Sequence, residues 1–446
     1  MVRRRSGCHG LQGKRIMWGS PRVIAIDDDP QHLRGLVDCL NRQGTACHQL
    51  HFTGDPSGVT ACPDVRIIFA DLHLGMGTPS DHKSNFSMIG GLLQDTIKPS
   101  GPYFIILWTQ FPEQAEALRA FLDRLETDVT KPFDVLSLPK ADHLGPDGSV
   151  KNEEALLEAI EGIPRESTQF AALLDWERRV LRATGRTVSS ILELAAGEST
   201  GERPKVIGRV LSRLAIEAVG PNNVEADPLR AVNEALLPIL ADRISALRSS
   251  SSEQEIWSEA LEPVAGLPTL SLENTARLNS LVHIADPDAA AAAERGIVAG
   301  LPSRYRRRFD RCFGITEEQM AAEEFRCTQF DKNNDRFCWV LVQCEAACDH
   351  AQARPRTLPF YLGLVFPTNR RNKKKKPPAS TWRGPPLRLR GNTRVLRVSA
   401  RFPVALPQSY SRRITPMFRL REQILNELTY HIHTHGARPG MIAFRE

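Results

Sequence analysis

A chain of 446 residues, 41% hydrophobic and 25% charged, has the composition of folded globular domains and the length of two or three of them. No stretch comes near the roughly 18 consecutive apolar residues of a membrane span. The net charge of +6 is segregated: from Phe366 onward 18 Lys and Arg face 3 Asp and Glu, whereas the first 365 residues hold 40 basic against 49 acidic groups. A basic end of that kind suits an acidic partner, whether nucleic acid, an anionic surface or another protein.

Residues 1–20 are basic (Arg3, Arg4, Arg5, Lys14, Arg15) and lack the apolar core of a secretory signal, so a disordered tail is expected there. The nine cysteines follow no disulfide-framework spacing, which predicts reduced thiols and a cytoplasmic protein. From 21 to 148 strands and helices alternate. Val23–Ile26 is an apolar run ending in Asp27, Asp28 and Asp29, and 32–43 has helical periodicity with Gly44 as its stop. A second apolar strand, 65–70, ends at Asp71. A helix is expected over 88–96, a third strand over 103–108 just before Thr109, a helix over 113–126 and a last strand over 133–138 ahead of Lys140. This alternation predicts an α/β domain with a doubly wound parallel sheet, in which ligands sit beyond the carboxyl ends of the strands.

Asp27, Asp28, Asp71, Thr109 and Lys140 all fall at that edge. Carboxylate oxygens suit a hard cation such as Mg²⁺, with Asp27, Asp28 and Asp71 as its candidate ligands. A second oxygen of Asp71 can attack a phosphoryl group. The cation and the Lys140 ammonium would offset charge on the transferring oxygens, and the Thr109 hydroxyl would bond one of them. The plain alternative is that Asp27–Asp29 only caps the following helix.

These residues resemble the receiver domain of bacterial response regulators, a flavodoxin-like fold. Asp27 and Asp28 match its acidic pair, Asp71 its phosphoacceptor, Thr109 its hydroxyl position and Lys140 its lysine, and Asp71 stands 43 positions after Asp28. The resemblance covers roughly 21–145 and implies phosphorylation by a sensor histidine kinase. Lys131-Pro132-Phe133 has the family's usual wording and rivals Lys140, but only Lys140 follows an apolar strand. The chain departs from the family in a longer span between Asp71 and Thr109, with 78–87 as the expected insertion. Ser137 also stands where many receivers keep an aromatic switch residue.

Residues 150–310 read as a helical region, with amphipathic runs at 168–194, 204–219 and 228–247, a Ser linker at 249–252, a helix over 253–261, another starting at Ser271, and an Ala run at 289–293. From 314 to 446 the pattern is α+β and basic. Strands are expected at 337–343, 359–367, 386–390 and 393–402, the last two joined by a turn at Gly391-Asn392, and a closing helix at 416–433. Cys344, Cys348, Asp349 and His350, with Cys327, Cys338 and the histidines at 431, 433 and 435, form a loose zinc candidate of no standard spacing. The run Lys373–Lys376 is the candidate nucleic-acid grip of a DNA-binding regulator.

Cys348-Asp349-His350-Ala351-Gln352, Arg419-Leu420-Arg421-Glu422-Gln423 and the closing Arg438-Pro439-Gly440 are similar, more loosely, to response-regulator-like proteins of Detocs-type anti-phage phosphorelays. That resemblance implies a signalling partner or phosphate sink in antiviral defence, beside an effector with its own receiver. No P-loop, nucleophile elbow or HExxH is found, and an enzyme is not expected.

Overall fold

The computed structural model describes residues 20–54, 61–75, 82–126, 130–162, 167–261, 269–285, 294–352, 357–368 and 377–437. The expected tail, the Ala run at 289–293, Lys373–Lys376 and Arg438-Pro439-Gly440 lie outside them. Among the described residues no helix is long and apolar enough to cross a membrane. The chain divides into two units, Met1–Asp175 with Ser250–Leu261, and Trp176–Ser249 with Glu262–Glu446.

The first unit holds β1 (Val23–Asp27), α1 (Pro30–Arg42), β2 (Cys47–His51), β3 (Ile67–Ala70), α2 (His82–Gly91), β4 (Phe104–Thr109), α3 (Ala115–Arg124), β5 (Asp134–Pro139), α4 (Lys140–His143) and α5 (Glu153–Gly162). All strand pairings are parallel, in the order β2-β1-β3-β4-β5. This order is compatible with a flavodoxin-like domain. Every residue of β1 and β4 is buried, as the central strands of a sheet covered on both faces must be. Ile24, Ile26, Ile105 and Leu107 join the core on one face, with Phe86 and Leu118 from α2 and α3. Val23, Ala25, Ile106 and Trp108 join the other, with Leu33 and Leu40 from α1 and Leu156 from α5.

Several boundaries differ from expectation. The edge strand β2 was not expected, because Cys-His-Gln-Leu-His buries only Leu50 and shows no apolar run. The helix expected at 88–96 starts at His82, inside the polar stretch taken as an insertion, and relaxes into a π-helical turn at Leu92–Ile97. The helix expected at 113–126 starts as a 3₁₀ turn at Pro112–Gln114.

Next along the chain come α6 (Thr168–Glu193), α7 (Arg203–Val219), α8 (Pro221–Ala226), α9 (Pro228–Ala246), α10 (Ser251–Ala260) and α11 (Leu272–His283). The expected Ser linker is a helix start. Ser250 accepts from Glu253 N–H, and the Glu253 carboxylate accepts from Ser250 N–H, a full capping box.

The helical region ends at His283 rather than near 310. β6 (Ile284–Ala285) and β7 (Ile297–Gly300) already belong to the C-terminal sheet. After them come α12 (Ser303–Arg306), α13 (Phe309–Phe313), α14 (Glu317–Glu323), β8 (Cys338–Gln343), α15 (Ala347–Gln352), β9 (Thr357–Pro367), β10 (Thr381–Leu389), β11 (Asn392–Pro407), β12 (Pro416–Leu420) and α16 (Glu422–Gly436). The seven strands pair antiparallel in the order β10-β11-β9-β8-β7-β12-β6. Each face carries its own apolar core, one with Phe309, Phe325 and Trp339, the other with Ile424, Leu425 and Leu428 of α16.

The closing helix is shorter than expected because 416–420 pairs as β12. The hairpin turn is Arg390-Gly391, both at positive φ, with Asn392 paired to Leu389 as the first residue of β11. Gly296 stands at φ +82°, where a Cβ would lie 2.6 Å from the Leu420 carbonyl oxygen.

Candidate metal centre

The parallel sheet ends in a cluster of charge. β1 delivers Asp27, which is fully buried, and β3 delivers Asp71 directly after its last residue. The chain after β3 is pinned to β1 by the bond from Asp71 N–H to the Ile26 carbonyl, 2.9 Å. Oxygens of Asp27, Asp28 and Asp71 lie within 4.8 Å of one another, and no other group of three such residues converges among the described residues.

The adjacent aspartates are differently engaged. Asp29 is the N-cap of α1 and accepts from Gln31 and His32 N–H. The capping alternative therefore accounts for Asp29 and leaves Asp27 and Asp28 for the cluster. Asp27 Oδ1 accepts from Asp29 N–H at 3.0 Å. Asp28 Oδ2 accepts from Gly75 N–H at 3.2 Å, and its carbonyl meets His51 Nε2 at 2.9 Å.

Lys140, at the first position of α4 and 4% exposed, sits between two carboxylates. Its ammonium donates to Asp71 Oδ2 at 2.7 Å and lies 2.7 Å from Asp27 Oδ2. The second contact is an ion pair without the alignment of a hydrogen bond, so Asp27 Oδ2 is buried and has no hydrogen-bond donor. Asp71 Oδ1 accepts from Leu72 N–H at 2.7 Å. Burial pushes the Asp27 carboxyl up to about 6; the Asp71 charge adds to the rise, and Lys140 opposes it. Thr109, fully buried at the end of β4, accepts weakly from Phe111 N–H at 3.4 Å.

Lys131 is exposed and donates to the Asp123 carbonyl, away from the cluster. Its Lys-Pro-Phe wording precedes β5, whereas Lys140 follows it.

The donor set fits a hard divalent cation: three carboxylates, all oxygen, one with a buried oxygen that lacks a donor. Gly75, His73 and His82 carried no sequence signal that tied them to this edge. Gly75 holds φ +112° while its N–H reaches Asp28. The rings of His73 and His82 pack against Phe111, at 4.7 and 5.8 Å between centroids.

Among the described residues the loose zinc candidate forms no cluster of three ligands. Cys338 opens β8 and Cys344 follows its last residue, which at about 3.3 Å per residue places them roughly 20 Å apart. Burial pushes the Cys344 thiol up to about 12 and the Cys327 thiol to about 11. Several basic residues of the C-terminal strands are engaged within the fold. Arg394 and Arg397 are buried, Arg397 donates to the Phe325 carbonyl, and Arg388 and Arg401 pair with Glu273 and Glu324.

No family model, no curated protein and no solved structure matches this chain.

Proposed function

We propose that this chain is a receiver-type phosphoacceptor, in which Asp71 takes a phosphoryl group from a phosphohistidine of a sensor histidine kinase. The observation that carries the reading is the buried Lys140 ammonium 2.7 Å from Asp71, inside a trio of carboxylates at the carboxyl edge of a parallel sheet.

In the reaction an oxygen of Asp71 attacks phosphorus and the P–N bond breaks. The imidazole leaves with the bonding electrons and takes up a proton. Mg²⁺ held by Asp27, Asp28 and Asp71 would supply positive charge to the phosphoryl oxygens. Lys140 supplies a second, compact charge at Asp71. The Thr109 hydroxyl, which has no acceptor among the described residues, would donate to a phosphoryl oxygen.

The fragments that resemble Detocs-type regulators support an anti-phage phosphorelay as the setting of this step. There the chain would act as signalling partner or phosphate sink beside a receiver-bearing effector.

The test is labelling with acetyl phosphate or phosphoramidate in Mg²⁺, followed by intact-mass measurement. One phosphoryl group should appear, depend on Mg²⁺, be released by hydroxylamine as an acyl phosphate is, and vanish in Asp71→Asn. A label that survives Asp71→Asn, or none from either donor, overturns the reading.

A further inference from the structure

The second unit carries a basic face built mainly on residues ahead of the basic C-terminal segment. The sequence Arg304-Tyr305-Arg306-Arg307-Arg308-Phe309-Asp310-Arg311-Cys312-Phe313 holds five arginines and one acid. Tyr305, Phe309 and Phe313 recur at helical spacing and turn inward. Phe309 is buried with its ring 4.8 Å from that of Trp339, and Phe313 packs on Phe309 at 4.7 Å. With the apolar residues facing the sheet, α12 and α13 leave an outer surface of guanidinium groups, and all five arginines are exposed.

Three observations separate this face from an ordinary solvated one. Some arginines of this unit pair with carboxylates: Arg213 with Glu217, Arg230 with Glu294, Arg277 with Glu273. Arg307, Arg308 and Arg311 have no side-chain partner among the described residues, although like charges so close repel and raise the free energy of the fold. Arg304 lies over two rings, 4.9 Å from Tyr305 and 4.1 Å from Tyr410, and Arg413 lies 5.9 Å from Tyr410. The 3₁₀ turn Gln408–Arg413 therefore brings a half-buried aromatic ring and another cation to the same face.

We infer that this arginine-tyrosine face binds the phosphodiester backbone of a nucleic acid strand. Guanidinium forks match phosphate oxygens, and a stacked Arg-Tyr surface beside them accepts the flat face of a base. Arginine forks ordered on a folded surface favour a regularly spaced polyanion over a diffuse anionic surface. The inference does not depend on Asp71 being phosphorylated.

The experiment uses the full chain with fluorescein-labelled single-stranded and duplex DNA and RNA of about 20 nucleotides, read by polarisation across a salt series. Vesicles of phosphatidylserine are run in parallel. The triple variant Arg307→Gln, Arg308→Gln, Arg311→Gln removes unpartnered surface groups and should fold normally, as circular dichroism would show. A control triple, Arg186→Gln, Arg209→Gln, Arg248→Gln, removes the same charge from exposed positions elsewhere in the unit.

Wild type and control should bind with affinity falling steeply in salt. The patch variant should bind at least about tenfold more weakly, with the slope of log K against log salt reduced by roughly 2. Preference among the four probes identifies the strand. Equal loss in both triples, no binding of wild type to any probe at low salt, or binding to the vesicles alone overturns the inference.

Discussion

Asp27, Asp28 and Asp29 are three identical side chains in a row with three different environments. The strand buries the first, the strand exit leaves the second half-open, and the helix start engages the third as a cap. Asp27 bears the largest consequence. Its carboxyl is pushed up to about 6, above its value in an unfolded chain, so the metal-free fold binds the proton more tightly than the unfolded state does. The charged form therefore costs stability above about pH 6, and that cost is relieved as pH falls toward 4.

Asp27→Asn removes the titration, so in metal-free buffer it should stabilise the protein at pH 7.5 by on the order of 1–3 kcal/mol. The advantage should shrink by pH 4.5, and Mg²⁺ should shrink it at pH 7.5 because the cation compensates Asp27 and has less to gain from Asn. Urea unfolding of both proteins at the two pH values checks this, and a difference independent of pH would sink the idea. At this scale the sequence was largely legible. An acid at the end of an apolar strand marks the sheet edge, and for that reason Lys140, following β5, reads better than Lys131. Gly75 and the His73–His82–Phe111 packing were not legible, because their meeting depends on how the chain beyond β3 and β4 folds back.

At the scale of elements, what the sequence conveyed well were segments buried on two faces or periodic over many residues. β1, β3 and β4 are continuous apolar runs, and α6, α7 and α9 keep nearly the expected bounds. What it conveyed poorly were edges and joints. β2 is an edge strand with one buried side chain, and β6 and β7 interrupt a region otherwise read as helix. β12 hides in a segment whose apolar residues also fit a helix: Phe418 and Leu420 alternate inward while the helical face starts only at Ile424. Its place in the sheet depends on Gly296, which lets β7 begin against the Leu420 carbonyl.

Gly296→Ala should cost about 2–4 kcal/mol, combining a left-handed φ with a backbone clash. Gly314→Ala, at φ +72° with open space around it, should cost about 1 kcal/mol. Chemical denaturation of the two variants measures the contrast, and equal losses would show that φ alone matters.

For the whole molecule, the aspartate cluster lies entirely in the first unit and the arginine face entirely in the second. Calorimetry should thus resolve two transitions, with Mg²⁺ raising only one. At about 100 times Kd the expected stabilisation is about 2.7 kcal/mol. Asp71→Asn should reduce the Mg²⁺ shift and leave the other transition in place. A single transition moved as a whole would mean that the units unfold together. Charge segregation along the chain announced a basic end, yet the arginine cluster at 304–311 lies before it. A count by segment cannot tell guanidinium groups that pair with carboxylates inside the fold from those left facing water.

The first unit is not contiguous in the chain. Residues 176–249 separate its main part from α10, which returns to it with Trp257 donating to Asp175 at 3.0 Å. During synthesis the sheet with its acidic edge leaves the ribosome well before that helix exists. At about 5–20 residues per second the wait for those roughly 75 residues is on the order of 4–15 s. For that interval the nascent chain offers its aspartate cluster and an unclosed seat for α10, so a cation taken up early would hold the fold together until its last segment arrives.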